Sequence, residues 1–240
     1  MEPNIARKLI NLNHQFYQSF AKDFSETRER LQLGVIEVLN RIPANCSVLD
    51  LGCGNGNVVT HLSENGFQGT YLGVDFSLGL LNQAEDSQPA DFQIGYHELD
   101  LTSPSWERIL PSTRFDVICC FATLHHIPSQ KLRTRLCRNI RQYLKDDGRV
   151  YLSVWQFSRS ERLKKRILPW ETIGLQDDQV DPGDYLLDWR RGGSGMRYIH
   201  LYSPEELRDL AKANGFQAIE TFDSDGEGGN LGHYQVWEAL

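Results

Sequence analysis

Apolar and polar positions along the first two thirds of the chain predict strands and helices in alternation. Short apolar runs predict strands over 47–51, 70–75, 92–97, 115–122 and 149–155. Apolar residues spaced three and four positions apart predict helices over 5–21, over about 56–65 and over 129–144. A further helix is predicted to begin after a cap at Ser25 or Thr27 and to end at about Arg41. Because strands and helices follow each other in this order, we expect an α/β fold with a parallel sheet and right-handed crossovers.

Residues 156–202 break this alternation. The stretch holds two prolines, two tryptophans and a glycine-rich segment, and it shows no sustained period. A connection of this length inside a compact domain is usually functional or disordered, so we expect an insertion on the substrate side of the fold.

The pattern resumes at Ser203, where Pro204 and Glu206 complete the signature of a helix start. Closing strands are predicted over 216–222 and 233–238. We therefore expect one domain over 1–240, divided into N-terminal helices (1–44), a core (45–155), the insertion (156–202) and a closing segment (203–240).

Composition narrows the class of protein. No apolar run approaches 18 residues and the N-terminal residues lack an apolar signal segment, so neither a membrane span nor secretion is expected. The five cysteines are odd in number and lie mostly in predicted strands or in a glycine-rich turn. They are typical of reduced, buried residues in a cytoplasmic protein, and because none has metal-ligand spacing we expect no metal.

Charge is unevenly distributed along the chain. The net charge of −7 argues mildly against a general nucleic-acid binder. However, residues 131–166 hold twelve Lys or Arg residues against three acids. The basic residues over 133–145 suit a solvated helix face, whereas those over 159–166 follow a strand end. The second group is equally consistent with a solvated surface and with contact to an anionic substrate.

The first predicted strand runs directly into a glycine-rich turn, and residues 48–56 read Val-Leu-Asp-Leu-Gly-Cys-Gly-Asn-Gly. Glycine permits the positive φ angles of a tight turn and lets a ligand approach backbone N–H groups. A dinucleotide site usually has a further glycine where this chain has Asn57, which disfavours a nicotinamide-dependent oxidoreductase. The second strand ends at Asp75, 19 positions after Gly56, where a carboxylate can accept the hydroxyl groups of a ribose.

This nonapeptide resembles motif I of the class I S-adenosylmethionine-dependent methyltransferases. The resemblance implies a Rossmann-like, doubly wound, mostly parallel sheet of seven strands, with an N-terminal helical lid and an insertion after strand five. It also implies S-adenosyl-L-methionine as the cofactor, with Asp100 accepting from the adenine amine. The implied cofactor-binding residues are Asp50, Gly52, Cys53, Gly54, Gly56, Asp75, Phe76, Asp100, Leu101 and Phe121.

A second resemblance covers nearly the whole chain. Five segments, at 20–28, 121–126, 154–155, 168–170 and 197–201, follow in the order seen in the tRNA methyltransferases that esterify 5-carboxymethyluridine at the wobble position. It implies tRNA as a partner, and the enzymes resembled often work with a small zinc-containing activator protein.

The chemistry implied is methylation of a carboxylate oxygen. A carboxylate is already anionic at neutral pH, so catalysis depends mainly on positioning and desolvation. The implied catalytic residues are Arg28 and Arg197, which would pair with a carboxylate or phosphate, and His125 and His200, which would hold the acceptor. Trp155 or Tyr198 would stack on a base.

Two further functions remain open at this point. The acidic overall charge also suits a small-molecule methyltransferase that acts on a carboxylate or hydroxyl group of a metabolite, with the insertion as a lid. A non-catalytic, S-adenosylmethionine-binding partner subunit would carry the same glycine turn.

Overall fold

The computed structural model describes residues 1–26, 30–89 and 92–240. The helices are α1 (Pro3–Glu26), α2 (Leu33–Leu39), α3 (Asn57–Glu64), α4 (Leu78–Asp86), α5 (Gln130–Tyr143), α6 (Glu161–Lys164) and α7 (Pro204–Ala213). The strands are β1 (Ser47–Leu51), β2 (Thr70–Asp75), β3 (Gln93–Glu98), β4 (Phe115–Phe121), β5 (Leu144–Trp155), β6 (Ile167–Leu168), β7 (Asp184–Trp189), β8 (Gly195–His200), β9 (Phe216–Ser224) and β10 (Gly232–Ala239).

Seven of these strands form one sheet in the order β3-β2-β1-β4-β5-β10-β9. Strands β1 to β5 pair in parallel, and β10 runs antiparallel between β5 and β9. The predicted mostly parallel, seven-stranded sheet is therefore confirmed. The strand order reverses between β1 and β4, and in open α/β sheets ligands bind beside the carboxyl ends of the strands at this point.

The sheet is buried on both faces. Helices α2 and α3 pack on one face, where Val35 and Val59 join Cys119 of β4 in a common core. Helices α5 and α7 cover the other face, where Leu136 and Leu207 pack with Cys120. The two adjacent cysteines thus point to opposite faces, as the alternation of side chains along a strand requires. All five cysteines of the chain are buried and free of disulfides.

The insertion has a regular structure of its own. Strands β6, β7 and β8 form a separate antiparallel sheet, which helix α1 covers. The Asn13 side chain of α1 is buried there, accepting from the Tyr198 amide at 2.8 Å and donating to the Tyr198 carbonyl at 3.1 Å. Because Asn13 completes backbone hydrogen bonds of β8, helix α1 and the insertion are held together.

Three predicted boundaries are wrong. Helix α2 begins at Leu33 and not directly after a cap at Ser25, which lies within α1, while Thr27 is outside the described residues. Helix α1 extends to Glu26 through a kink at Phe20, where φ is −118° and ψ is 18°. Strand β5 begins at Leu144 rather than at Arg149, because the ladder with β4 continues through an irregularity between Phe115 and Val117. In the described part of the chain, no helix combines the length and hydropathy that crossing a bilayer requires.

The start of helix α7 offers a test of the local folding signal. The Ser203 hydroxyl accepts a hydrogen bond from the Glu206 amide at 3.1 Å, which satisfies an N–H group that lacks a helical partner. We expect Ser203→Ala to lower the free energy of unfolding by about 1 kcal/mol, measured by chemical denaturation. Ser203→Thr keeps the hydroxyl and serves as the control. Equal losses in both variants would contradict the capping role.

Candidate functional site

The turn after β1 depends on glycine for its shape. Gly52, Gly54 and Gly56 have φ angles of 80°, 55° and 79°, which side-chain-bearing residues rarely adopt. A Cβ atom at Gly52 would collide with the Thr123 side chain, and one at Gly56 would lie 3.0 Å from the Ala84 Cβ. At Gly54 such an atom would meet nothing within 4 Å, so the backbone there lies open to a ligand.

Asp75 braces this turn from the end of β2. One carboxylate oxygen accepts from the Gly54 amide at 3.0 Å, and the other accepts from the Ser77 amide at 2.8 Å. Burial raises the pKa of Asp75, and the backbone N–H groups that bond to it offset part of that effect. Each oxygen retains a further lone pair, so the carboxylate can still accept hydrogen bonds from a ligand.

A cavity of about 180 Å³, which we call the first cavity, lies above the turn at the reversal of strand order. The predicted site residues that line it are Asp50, Gly52, Cys53, Gly54, Asp75, Phe76, Asp100, Leu101, Phe121, His125 and Arg197. Gly56 does not line the cavity; it is the residue that precedes helix α3. Arg28 lies outside the described residues.

Helix α1 covers the first cavity with one face. Ile10, Asn13, His14 and Tyr17 line the cavity, at positions that share a face of a helix. The His14 ring stacks on Phe76 with 4.4 Å between centroids, and the Tyr17 hydroxyl lies 2.8 Å from the His126 Nε2 atom. These lid residues are not among those predicted from the sequence, although their helical spacing on a polar face could have identified them.

Asp100 is held at the far wall of the first cavity. Its Oδ1 atom accepts from the amide and hydroxyl groups of Thr102, at 2.7 and 2.6 Å. Its Oδ2 atom lies 3.5 Å from His14 Nε2. Burial by itself raises the pKa of Asp100, but the hydrogen bonds from His14 and Thr102 outweigh it and the pKa is lowered. Asp100 therefore presents an anionic acceptor to the cavity.

Asp50 differs from the other two carboxylates. It is buried in β1, it lines the first cavity, and the Tyr71 hydroxyl donates to it at 2.6 Å. Desolvation raises its pKa to about 7, despite the Tyr71 hydrogen bond, and the nearby Asp75 charge adds to the increase.

A second cavity of about 470 Å³ adjoins the first. Gln32, Ala122 and Arg197 line both cavities, so the two meet at these residues. The other residues of the second cavity come mainly from the end of β5, from the insertion and from the loop before β10.

Arg197 sits at this junction in a cage of aromatic rings. Its guanidinium carbon lies 4.8 Å from the centroid of Trp155, 5.4 Å from that of Phe16 and 5.5 Å from that of Trp189. Only 7% of Arg197 is exposed. A guanidinium held against three rings in this way has little freedom to reorient, and cation–π attraction stabilises the contact.

His125 lies beside this junction in the 3₁₀ turn Leu124–His126 and is buried. Its Nδ1 atom accepts from the Trp155 amide at 3.3 Å. The neutral ring therefore carries its proton on Nε2, which makes Nε2 a hydrogen-bond donor.

His200, which was predicted to hold the acceptor, does not line either cavity. Its imidazole is buried between the carboxylates of Asp184, at 2.7 Å, and Glu206, at 2.8 Å. Burial tends to lower the pKa of His200, but these two hydrogen bonds raise it overall. Tyr198, predicted to stack on a base, is also fully buried and donates its hydroxyl to Asp184. His200 joins the insertion to α7, the Tyr198 hydroxyl accepts from Arg133 of α5 at 3.3 Å, and neither side chain lines a cavity.

Comparison with known proteins assigns the family. A model of the methyltransferase domain family matches residues 21–221. A protein of Encephalitozoon cuniculi that is named only as a methyltransferase is 30% identical over 209 residues, which cover 86% of this chain and 88% of that protein. The tRNA (carboxymethyluridine(34)-5-O)-methyltransferase of Schizosaccharomyces pombe is 23% identical, covering 86% of this chain and 89% of that enzyme.

A further relative is named for a different pathway. The ubiquinone biosynthesis O-methyltransferase of Coxiella burnetii is 30% identical over 174 residues, covering 72% of this chain and 64% of that enzyme.

Among solved structures, the DhpI-SAM-HEP complex superposes with a TM-score of 0.67 at 17% identity, covering 96% of this chain and 97% of that chain.

This chain belongs to the methyltransferase domain family and is an S-adenosylmethionine-dependent methyltransferase. The first cavity fits that cofactor, because an open glycine backbone at Gly54 lies beside carboxylates with lone pairs to spare. Within residues 1–26, 30–89 and 92–240, no cluster of three metal-ligating side chains is found.

The unusual pKa of Asp50 yields a prediction about stability. An ordinary Asp has a pKa of 3.8, so between about pH 4 and pH 7 the folded state holds a proton that the unfolded chain has lost. The neutral Asp50 carboxyl therefore makes its whole contribution to the free energy of unfolding below about pH 4, and this contribution is lost as the pH rises through 7. We expect the free energy of unfolding of Asp50→Asn, relative to that of the wild type, to be roughly 3 kcal/mol higher at pH 8 than at pH 5. Chemical denaturation without cofactor measures both values.

The control for this experiment is Asp116→Asn. Hydrogen bonds from Lys145 and Ser47 outweigh the effect of burial and lower the pKa of Asp116 to about 2, so this group does not titrate between pH 5 and pH 8. Its effect on stability should be the same at both pH values. A constant effect of Asp50→Asn as well would show that the Asp50 carboxyl is ionised throughout.

Proposed function

We propose that this methyltransferase acts on the carboxylate of a 5-carboxymethyluridine-type wobble nucleoside in tRNA. The observation that carries the proposal is Arg197, a caged guanidinium at the junction of the two cavities. A guanidinium can bind both oxygens of a carboxylate. The aromatic rings around Arg197 exclude water from such a pair. The similarity to the fission yeast enzyme supports the same acceptor.

We assign the first cavity to S-adenosylmethionine. In this assignment Asp75 accepts from the ribose hydroxyl groups, and Asp100 accepts from the adenine amine. Gly52, Gly54 and the neighbouring backbone approach the ligand closely, and Phe76, Leu101 and Phe121 supply apolar contacts. The cofactor, when bound, supplies a methyl group attached to a positively charged sulfur.

The protein then has to position and desolvate the nucleophile. A carboxylate oxygen attacks without losing a proton, so no general base is required. Arg197 holds one side of the carboxylate, and the Nε2–H group of His125 is a donor near the same junction. Arg28, which the sequence resemblance also implies, remains a candidate for this site.

A small-molecule acceptor is the second candidate function. The ubiquinone biosynthesis relative and the acidic net charge of −7 favour it. Both candidates use the same cofactor and the same junction, and they differ in what occupies the second cavity.

Transfer of labelled methyl groups distinguishes the two. The purified chain is incubated with S-adenosylmethionine carrying a labelled methyl group and either bulk tRNA or a small-molecule extract, with and without a cell extract that can supply an activator subunit. We expect label in tRNA that mild alkali releases as methanol, because esters hydrolyse in base and methylated bases do not. Label found only in small molecules would overturn the tRNA assignment and leave the cofactor site intact.

Substitution of Asp75 tests the cofactor assignment. Asp75→Ala removes hydrogen bonds to a charged acceptor, so we expect affinity for S-adenosylhomocysteine to fall by about 2–3 kcal/mol, or roughly 30- to 150-fold, in a calorimetric titration. Asp86→Ala, on the exposed surface of α4, is the matched control. Unchanged affinity in Asp75→Ala would remove Asp75 from the ribose site.

Substitution of Arg197 tests the acceptor assignment. We expect Arg197→Gln to lower kcat/KM for the acceptor by roughly 10- to 100-fold, the scale of hydrogen bonds to charged groups, while affinity for S-adenosylhomocysteine stays within about threefold. Arg190→Gln is the control, because Arg190 is exposed on the same insertion and lines neither cavity. A loss of cofactor affinity without a loss in acceptor turnover would place Arg197 in the cofactor site instead.

A further inference from the structure

The second cavity has a basic side beyond Arg197. Arg162, Arg166 and Arg191 line it, and we call these three residues and the space between them the arginine cleft. The first two belong to the basic segment 159–166, for which the sequence left a solvated surface and an anion contact equally open. The structure directs part of this segment towards the cavity.

Arg162 and Arg166 differ from Arg159 and Lys164 of the same basic segment. Arg159 pairs with Asp223 and Lys164 pairs with Glu161. Within the described part of the chain, neither Arg162 nor Arg166 forms an ion pair with a carboxylate. Their positive charges are therefore available to an external anion.

Asp225 is the one acid among the described residues that line this cavity, and its carboxylate is already engaged. It accepts from the Gly34 amide at 3.0 Å and from the Tyr234 hydroxyl at 2.6 Å. These two bonds hold the Asp225 carboxylate in place, and among the described residues it forms no ion pair with Arg162 or Arg166. Arg162 and Arg166 are therefore the two guanidinium groups of the cavity on which an anion site would depend.

The backbone that carries these arginines is anchored. The Arg166 carbonyl accepts from the Asp188 amide at 2.9 Å, which ties the segment to the insertion sheet. Leu163, between the two arginines, is buried among Phe157, Leu187 and Ile199. The long side chains can adapt to a ligand while their attachment points stay in place.

We propose that the arginine cleft binds a phosphate group of the acceptor, next to the nucleoside whose carboxylate meets Arg197. This inference rests on the proposed function, because it takes Arg197 as the carboxylate site. An acceptor that fills both positions carries two separate anionic groups. The rings of Trp155 and Trp189, which pack against Arg197, also line this cavity. A nucleotide within an RNA chain has this combination of anions and a flat base.

The net charge of the chain also favours the arginine cleft as the place where RNA approaches the protein. The chain as a whole carries a net charge of −7, which repels a polyanion at long range. A local concentration of guanidinium groups beside the reaction site is then the region where a phosphate chain is attracted.

The first experiment compares two acceptors, 5-carboxymethyluridine and its 3′,5′-bisphosphate, by their kcat/KM values. We expect the wild type to prefer the bisphosphate by 10-fold or more, and the double variant Arg162→Gln/Arg166→Gln to lose most of this preference. Lys131→Gln/Arg138→Gln removes the same charge from the exposed face of α5 and should keep the preference. No preference in the wild type, or an equal preference in all three proteins, would overturn the proposal and leave the methyl transfer function standing.

A second measurement does not depend on methyl transfer. Binding of a fluorescent octauridylate is followed by anisotropy at several salt concentrations, with S-adenosylhomocysteine present. For single strands, each phosphate that the protein neutralises contributes about 0.7 to the slope of log affinity against log salt. We expect a smaller slope in Arg162→Gln/Arg166→Gln and an unchanged slope in Lys131→Gln/Arg138→Gln. Equal changes in both double variants would show a general charge effect and would contradict a phosphate site in the cleft.

If bulk tRNA and both acceptors stay unmethylated, with or without the cell extract, but the salt slope changes only in the cleft variant, the proposed function fails and the phosphate site stands. The two claims can therefore fail separately.

Discussion

The turn between β1 and α3 is the constraint on which the site depends. Three glycines with positive φ angles bring the backbone around at the reversal of strand order, and the Asp75 carboxylate holds this turn by accepting from Gly54. If the carboxylate were lost, the Gly54 and Ser77 N–H groups would lose a buried partner, which costs more than an average hydrogen bond contributes. A buried carboxylate at this position organises the backbone and also offers lone pairs to a ligand.

The lid and the insertion extend this turn into an enclosed site. Helix α1 covers the first cavity and is joined to β8 through the buried side chain of Asn13. Strand β8 carries Arg197 to the junction, and its last residue, His200, is held between Asp184 of β7 and Glu206 of α7. Arg133 of α5 adds an ion pair with Asp181, 3.1 Å away. These polar contacts connect the lid, the insertion and the core, so the position of Arg197 depends on all three.

Much of the fold was predictable because its signals are local. The glycine turn, the parallel strands and the cap at Ser203 are each encoded by consecutive residues, and all three were correctly anticipated. The insertion sheet was not predicted from the sequence. Strands β7 and β8 lack a clean alternation of apolar and polar residues, and they are ordered by their contact with α1. His200 shows the same limit for the site. A histidine at a strand end can face a ligand or a buried carboxylate, and its partners Asp184 and Glu206 are recognisable only once the chain is folded.

Arg197 is the residue on which the proposed acceptor site depends, and a crystal structure of the complex with S-adenosylhomocysteine and 5-carboxymethyluridine tests its role most directly. We expect the acceptor carboxylate within about 3 Å of the Arg197 guanidinium nitrogens, with the uracil ring in the second cavity. An acceptor that the enzyme methylates in solution with S-adenosylmethionine, but that binds in the crystal with its carboxylate away from Arg197, would contradict this role.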